Sequence, residues 1–305
     1  MTARTAAALA LGLGMVCSLA GGQGSEAAER PPASGGITAA LADVATAGRA
    51  ACSRAIDRLP VDRMTPAARQ TIDHFRQSTT IHRRLPAEMI RCNRSLLDFI
   101  LAKPEALVDV WRVLGISRVS LDPVGPGRWQ LCDGYGTTGS IHVLHRERHD
   151  GSGLVVLYGR GGYAGPLSPK DLTGSCLVVI RHETVAGADR LPEQQIELEA
   201  FLDVDGIGLE IVTRTLQPLI ARSAAGNVHE ICLFVSQFAD AADRNPAGVA
   251  RLADRMPRTE PADRRLLVAL ACGHGTPPQP PLGDPGGERV HEELAARWLP
   301  ADAIK

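Results

Sequence analysis

The sequence predicts an α+β protein: N-terminal helices, then a six-stranded, mainly antiparallel curved sheet packed on a long C-terminal helix. Three observations carry that expectation. Apolar residues recur at helical spacing up to Gly115, alternate with period two from Ser117 to Val204, and return to helical spacing from Val228 to Ala242. The 305 residues hold 33 Lys+Arg against 34 Asp+Glu, and 44% are hydrophobic. That balance excludes a strongly cationic nucleic-acid binder, and the apolar content excludes a wholly disordered chain.

At the N-terminus, Arg4 precedes the apolar run Ala6–Ala20, which is too short to span roughly 30 Å of hydrocarbon. Ser18 and Ala20 are small residues at the −3 and −1 positions of a cleavage site. Residues 1–20 therefore read as a signal peptide, with an exported mature protein (periplasmic or extracellular) and no later transmembrane span. Residues 21–36 are a small-residue flexible linker. Six cysteines remain: Cys52, Cys92, Cys132, Cys176, Cys232 and Cys272. Spacing alone leaves their pairing open. In an oxidising compartment a Cys52–Cys92 bridge between helical segments is one option, while Cys232 falls on an apolar helix stripe and reads as a buried small hydrophobe.

Residues 37–115 form a helical segment. Ile37, Leu41, Val44, Ala55 and Leu59 line one face until Pro60 stops it. Thr65-Pro66 supplies a cap and a proline at the first helical position, and Asn93 and Pro104 open two more helices.

Residues 116–273 hold the sheet and its covering helices. The expected strands are Ser117–Asp122, Arg128–Asp133, Thr138–Glu147, Gly153–Gly159, Gly174–Thr184 and Gln194–Val204, separated by Gly/Pro/Asp turns. In the last strand Ile196, Leu198, Ala200, Leu202 and Val204 point one way and Gln195, Glu197, Glu199 and Asp203 the other, with Phe201 the exception. This predicts one buried and one wet face. The cover is a helix capped by Asn227 and ended by Asn245-Pro246, with Val228, Ile231, Cys232, Val235, Phe238 and Ala242 along its stripe. Shorter helices are expected at 247–256 and 262–272, then a Pro/Gly-rich linker at 274–287 and a terminal helix at 288–305.

Several motifs fail on context. Gly159-Arg-Gly161-Gly-Tyr-Ala164 matches a dinucleotide fingerprint, but Pro166 and Pro169 forbid the helix it must open, so it reads as a turn between antiparallel strands. Asp203-Val-Asp205-Gly206 lacks carboxylates at the first and last positions of a calcium loop. His229-Glu230 and His291-Glu292 each lack the second histidine of a zinc helix. His142, His145 and His149 lie in a strand, where a spacing of three sends 142 and 145 to opposite faces. No metal, cofactor or catalytic residue is assigned. One constellation remains: Trp129 and all three tyrosines, Tyr135, Tyr158 and Tyr163, fall in the glycine-rich turns and the strands leading to them, where aromatics can line a ligand mouth.

Helices, a run of antiparallel strands and a late amphipathic helix together resemble the helix-grip arrangement of START-like ligand-binding domains over residues 117–245. The resemblance is topological and carries no motif. It implies an apolar ligand held between sheet and helix, against Leu198, Leu202, Val235 and Phe238, with the aromatics at the mouth. The run ending in Leu216-Gln-Pro-Leu219 and Asn245-Pro246 also looks like that of uncharacterised exported bacterial proteins. The expected function is an exported, non-catalytic binder of a hydrophobic or lipid-like small molecule. The alternatives are a structural or interaction protein with a solid core, and a hydrolase-like enzyme using Asp133, His182 and Glu183 as acid/base groups.

Overall fold

The computed structural model describes residues 49–164, 172–187, 192–205, 207–273 and 286–296. The expected signal peptide, the linker at 21–36, the first part of the helix from Ile37 and residues 274–285 of the linker expected at 274–287 lie outside them, while residues 286–287 of that linker already belong to a helix.

Helix α1 (Arg49–Asp57) and a 3-10 turn (Val61–Arg63) lead into α2 (Pro66–Ser78). Thr65 caps α2 as its hydroxyl accepts the Ala68 N–H at 3.2 Å, with Pro66 in the first turn. Two short strands follow where only helix was expected, β1 (Ile81–Arg84) and β2 (Glu88–Ile90). They are too short for a period-two signal, and both take their pairing from one later strand. Helices α3 (Arg94–Ala102) and α4 (Pro104–Val113) close the N-terminal part, α3 capped by Asn93 Oδ1 accepting from the Leu96 N–H at 2.8 Å.

Six further strands lie close to their expected positions: β3 (Ser120–Gly125), β4 (Arg128–Cys132), β5 (Thr137–His149), β6 (Ser152–Tyr163), β7 (Leu172–Ala186) and β8 (Pro192–Val204). All pairings are antiparallel, in the order β1-β8-β7-β6-β5-β4-β3, with β2 also on β8, so the sheet has eight strands rather than six. Gly159–Tyr163 is not a turn but the last part of β6, paired on both sides. Gly139, Gly161 and Gly174 align across β5, β6 and β7. A Cβ at Gly139 would come 2.8 Å from the Arg160 carbonyl oxygen, so the strands meet there more closely than a side chain allows.

Helix α5 (Ile207–Arg244) runs through Asn227, which is therefore not its cap. It is followed by α6 (Pro246–Asp254), α7 (Pro261–Ala271) and α8 (Gly286–Ala295). Asn245 both ends α5 and caps α6, its side chain accepting the Gly248 N–H at 2.9 Å. No helix among the described residues is long and apolar enough to cross a membrane.

The sheet is covered on both faces over its middle, which corrects the expectation of a wholly wet outer face; toward the Gly153–Glu183–Gln195 end that face stays polar. The inner face packs on α3 to α8 in the main core. On the outer face Val156, Leu177, Val179 and Phe201 form a second core with Ile56, Ile72 and Phe75 of α1 and α2. Phe201, the exception in its strand, is fully buried there. The run Cys176-Leu177-Val178-Val179-Ile180, buried throughout, shows the same double cover. Phe201→Ala is expected to cost about 3–5 kcal/mol in urea unfolding, against about 0.5 kcal/mol or less for Tyr135→Ala; comparable losses would mean that the outer layer contributes little.

Candidate functional site

Between the inner face and the helices lies an apolar cavity of about 110 Å³. Val228, Ile231, Cys232 and Val235 of α5 form one wall, at the spacing of a single helix face. Ile196 and Leu198 of β8, Ile180 of β7 and Trp129 of β4 form the floor, and Leu97, Ile100 and Leu107 of α3 and α4 close the side. Trp129 is buried, and its indole N–H donates to Glu105 Oε2 at 2.7 Å, so its single polar atom is satisfied. Burial lifts the Glu105 carboxyl above its ordinary value, partly offset by that hydrogen bond and by Lys103. Burial also pushes the Cys232 thiol well up, so the one sulfur in the wall stays protonated and inert.

The expected ligand residues divide. Trp129, Leu198 and Val235 lie around the cavity. Leu202 and Phe238 belong to the same core but stand away from the cavity wall. The tyrosines do not form its mouth. Tyr158 pairs with His142 on the outer face and packs edge-on against Phe75, ring centroids 6.2 Å apart. Tyr163 is buried at the end of β6, and Tyr135 is exposed with the Arg118 guanidinium 5.8 Å from its ring centroid. Strand parity separates Trp129, opposite Ile141, from Tyr158, opposite His142. The contribution of α3 and α4 was missed, although the adjacent pairs Leu96-Leu97 and Ile100-Leu101 span more of the helix surface than one contact needs.

A polar cleft of about 370 Å³ opens on the outer face, where β5 to β8 meet the Arg58–Arg63 turn. In it Glu147 lies 2.8 Å from His145 Nε2, 3.2 Å from His149 Nε2 and 3.2 Å from Arg63. Burial raises the Glu147 carboxyl, but the two histidines and Arg63 outweigh it and the net shift is downward. The cluster exists because β5 bulges between Val143 and His145: Leu144 is the extra residue, and His145 pairs with Val156 on the face that His142 shares. The expectation that 142 and 145 face opposite ways fails for that reason. Beside the cleft the buried Glu199 accepts from Arg58 at 2.6 Å and from Arg181 at 2.9 Å.

The acid/base trio does not converge. Asp133 accepts the backbone N–H groups of Tyr135 (2.7 Å) and Thr137 (2.9 Å), which makes it a turn former. His182 lies on the inner face 3.5 Å from Asp98, and Glu183, the next residue of β7, points to the other face. Among the described residues no group of three or more His, Cys, Asp and Glu side chains could hold a metal ion. Cys52 and Cys92 belong to the outer and inner cores respectively and are not bridged, and no disulfide joins any of the described cysteines.

No protein-family model matches the chain, and no curated protein matches it. Among solved structures it is similar to an uncharacterized protein from Rhizobium leguminosarum at 12% identity, covering 48% of this chain and 94% of that one, with a TM-score of 0.25. A likeness at that score carries neither fold nor function.

His82 is the strangest group beside the cleft: buried, stacked on Phe201 at 4.5 Å, with neither ring nitrogen hydrogen-bonded. Burial, opposed by Glu199, holds it below the ordinary histidine value of 6.5, and burial lowers His182 and His142 as well. Such groups add stability above the unfolded-state value, lost as pH falls through the folded one, because only the unfolded chain takes up the protons easily. His82→Leu is therefore expected to raise Tm more at about pH 5.5 than at about pH 8; equal shifts in thermal melts at both would rule the histidine out as a source of acid sensitivity.

Proposed function

We propose that this chain is an exported, non-catalytic protein that holds a small apolar molecule between its sheet and the helices laid on it, in a helix-grip arrangement similar to that of START-like domains. The observation that carries this reading is the unfilled apolar space between the sheet and α5, about 110 Å³, in an interior otherwise closed by large side chains such as Phe234 and Phe238. Protein interiors rarely leave voids above the size of a water molecule, because each lining atom then loses its packing partner. A dry cavity of roughly 150 Å³ accepts benzene, so this space suits a group of about that size rather than a whole membrane lipid, whose pocket would be several times larger. The solid-core alternative leaves that volume without a reason. Export rests on the N-terminal pattern Arg4, Ala6–Ala20 and Ser18-Leu-Ala20.

Trp129 in the wall provides an intrinsic probe. Titration with toluene is expected to shift its fluorescence saturably in the wild type. Val235→Phe, which directs a ring into the space, is expected to abolish that response while changing stability by less than about 1 kcal/mol, since an open cavity absorbs the added volume. A cost of about 3 kcal/mol, with no toluene response in the wild type, would show the space to be closed and the reading wrong.

A further inference from the structure

The polar cleft on the outer face is laid out by the strand ladder. His149 stands opposite Ser152, Ser152 opposite Glu183, and Glu183 opposite Gln195. Directly opposite residues share a face, so these four form one polar row across β5 to β8. In the next row on that face Arg181 stands between Leu154 and Glu197. The Arg58–Arg63 turn walls the two rows, and the space of about 370 Å³ is of small-molecule size. None of the residues lining it is aromatic, which removes the stacking platform that a nucleobase uses.

Charge is spread unevenly over this cleft. Arg58 and Arg181, both in its lining, reach the same buried carboxylate, Glu199, at 2.6 and 2.9 Å. One carboxylate neutralises one guanidinium, and Arg181 Nη2 is buried without a hydrogen-bond partner among the described residues. Two carboxylates of the lining are each taken by an arginine, Glu147 by Arg63 at 3.2 Å and Glu197 by Arg84 at 2.7 Å. The exposed carboxylate of the lining is Glu183, two residues from Arg181 on the same face of β7. That spacing is about 6.5 Å along the strand. A ligand of single charge would meet attraction at one of these positions and repulsion at the other, whereas a ligand carrying both signs meets attraction at each.

We propose that this cleft is a second binding site, for a free α-amino acid held as its zwitterion, with its carboxylate on Arg58 and Arg181 and its ammonium on Glu183. The guanidinium forks offer a carboxylate paired donors, and the long arginine and glutamate side chains close the distance to two charges borne on one carbon. Ser152 and Gln195, in the row of Glu183, bring a hydroxyl and an amide to the polar atoms of the ligand's side chain. The site is independent of the apolar cavity, which lies on the other face of the sheet.

Saturation-transfer NMR of the full-length chain with an equimolar mixture of the standard L-amino acids tests for the site. At least one of them is expected to give a signal; none doing so would overturn the proposal. Calorimetry then compares that amino acid with its N-acetyl derivative, which keeps only the negative end, and its carboxamide, which keeps only the positive end. The zwitterion is expected to bind at least about tenfold more tightly than either, and an equal affinity for either analogue would overturn the ligand class. Glu183→Gln, at an exposed position, is expected to bring the zwitterion down to the affinity of the N-acetyl form, and Arg58→Gln to weaken the N-acetyl form as well. Unchanged affinities in both variants would overturn the residue assignment. Val235→Phe, which fills the inner cavity, is expected to leave amino-acid binding as it is; loss of binding there would place the ligand in the cavity and overturn the second site, while a missing toluene response alone would touch only the cavity reading.

Discussion

The fold depends on the middle of β7, residues 176–180, and the part of β8 paired with it, Leu198–Leu202, being dry on both faces. Cys176, Val178 and Ile180 meet the main core, while Leu177, Val179 and Phe201 meet the layer made by α1 and α2. Backbone N–H and C=O groups buried this way have no water to turn to, so they must be satisfied by the ladder. The long antiparallel registers to β6 on one side and between β7 and β8 supply those bonds. Helices are then required above and below this central stretch, because neither of its faces can be left to solvent. Even β1 and β2 follow from this constraint: β8 would otherwise be an exposed edge, and two short segments together cover it.

Much of this was legible, and the failures have specific causes. The six later strands stand out because their side chains alternate over five or more residues. The caps at Thr65, Asn93 and Asn245 stand out because short polar side chains before an apolar stripe have one strong structural use. β1 and β2 were illegible because Ile81-His-Arg-Arg84 buries His82 and Arg83, two residues whose chemistry argues for solvent. The second cover was signalled by Phe201 and by the unbroken run at 176–180, but alternation elsewhere in β8 outweighed it. In the site, the residues on the α5 stripe and on β8 were found by periodicity, whereas the aromatic grouping failed because nearness in sequence ignores strand parity. The bulge at Leu144 could not be read at all: it is one extra residue, and only pairing to Val156 and Leu157 reveals it.

Polar groups inside the molecule fall into two sorts. Asp109, 1% exposed, accepts from the backbone N–H groups of Arg258 and Thr259 and from the Thr259 hydroxyl, each at 2.9 Å, and so ties α4 to the segment before α7. Glu199 is similarly held by two arginines. These are compensated charges that specify how elements dock. Arg83 Nε and both His82 ring nitrogens are buried without a hydrogen-bond partner among the described residues, on adjacent residues of one short strand that face opposite sides of the sheet. A four-residue edge strand is the cheapest place to carry such residues, since little of the ladder depends on it.

Cysteines without disulfides among the described residues, in a chain read as exported, call for a physical account. Cys52 lies in the outer core, whereas Cys92, Cys176, Cys232 and Cys272 lie in the inner one. Burial pushes Cys92 and Cys176 up to about 12 and raises the other three of these five as well. Exchange and oxidation proceed through the thiolate, so thiols held this far from ionising, and closed off from solvent, react slowly even in an oxidising compartment. In this chain the buried cysteines are small apolar residues filling narrow places between larger neighbours, with Cys232 in the cavity wall as one instance. Stability must then come from the two packed layers alone, which returns the weight of the structure to β7 and β8.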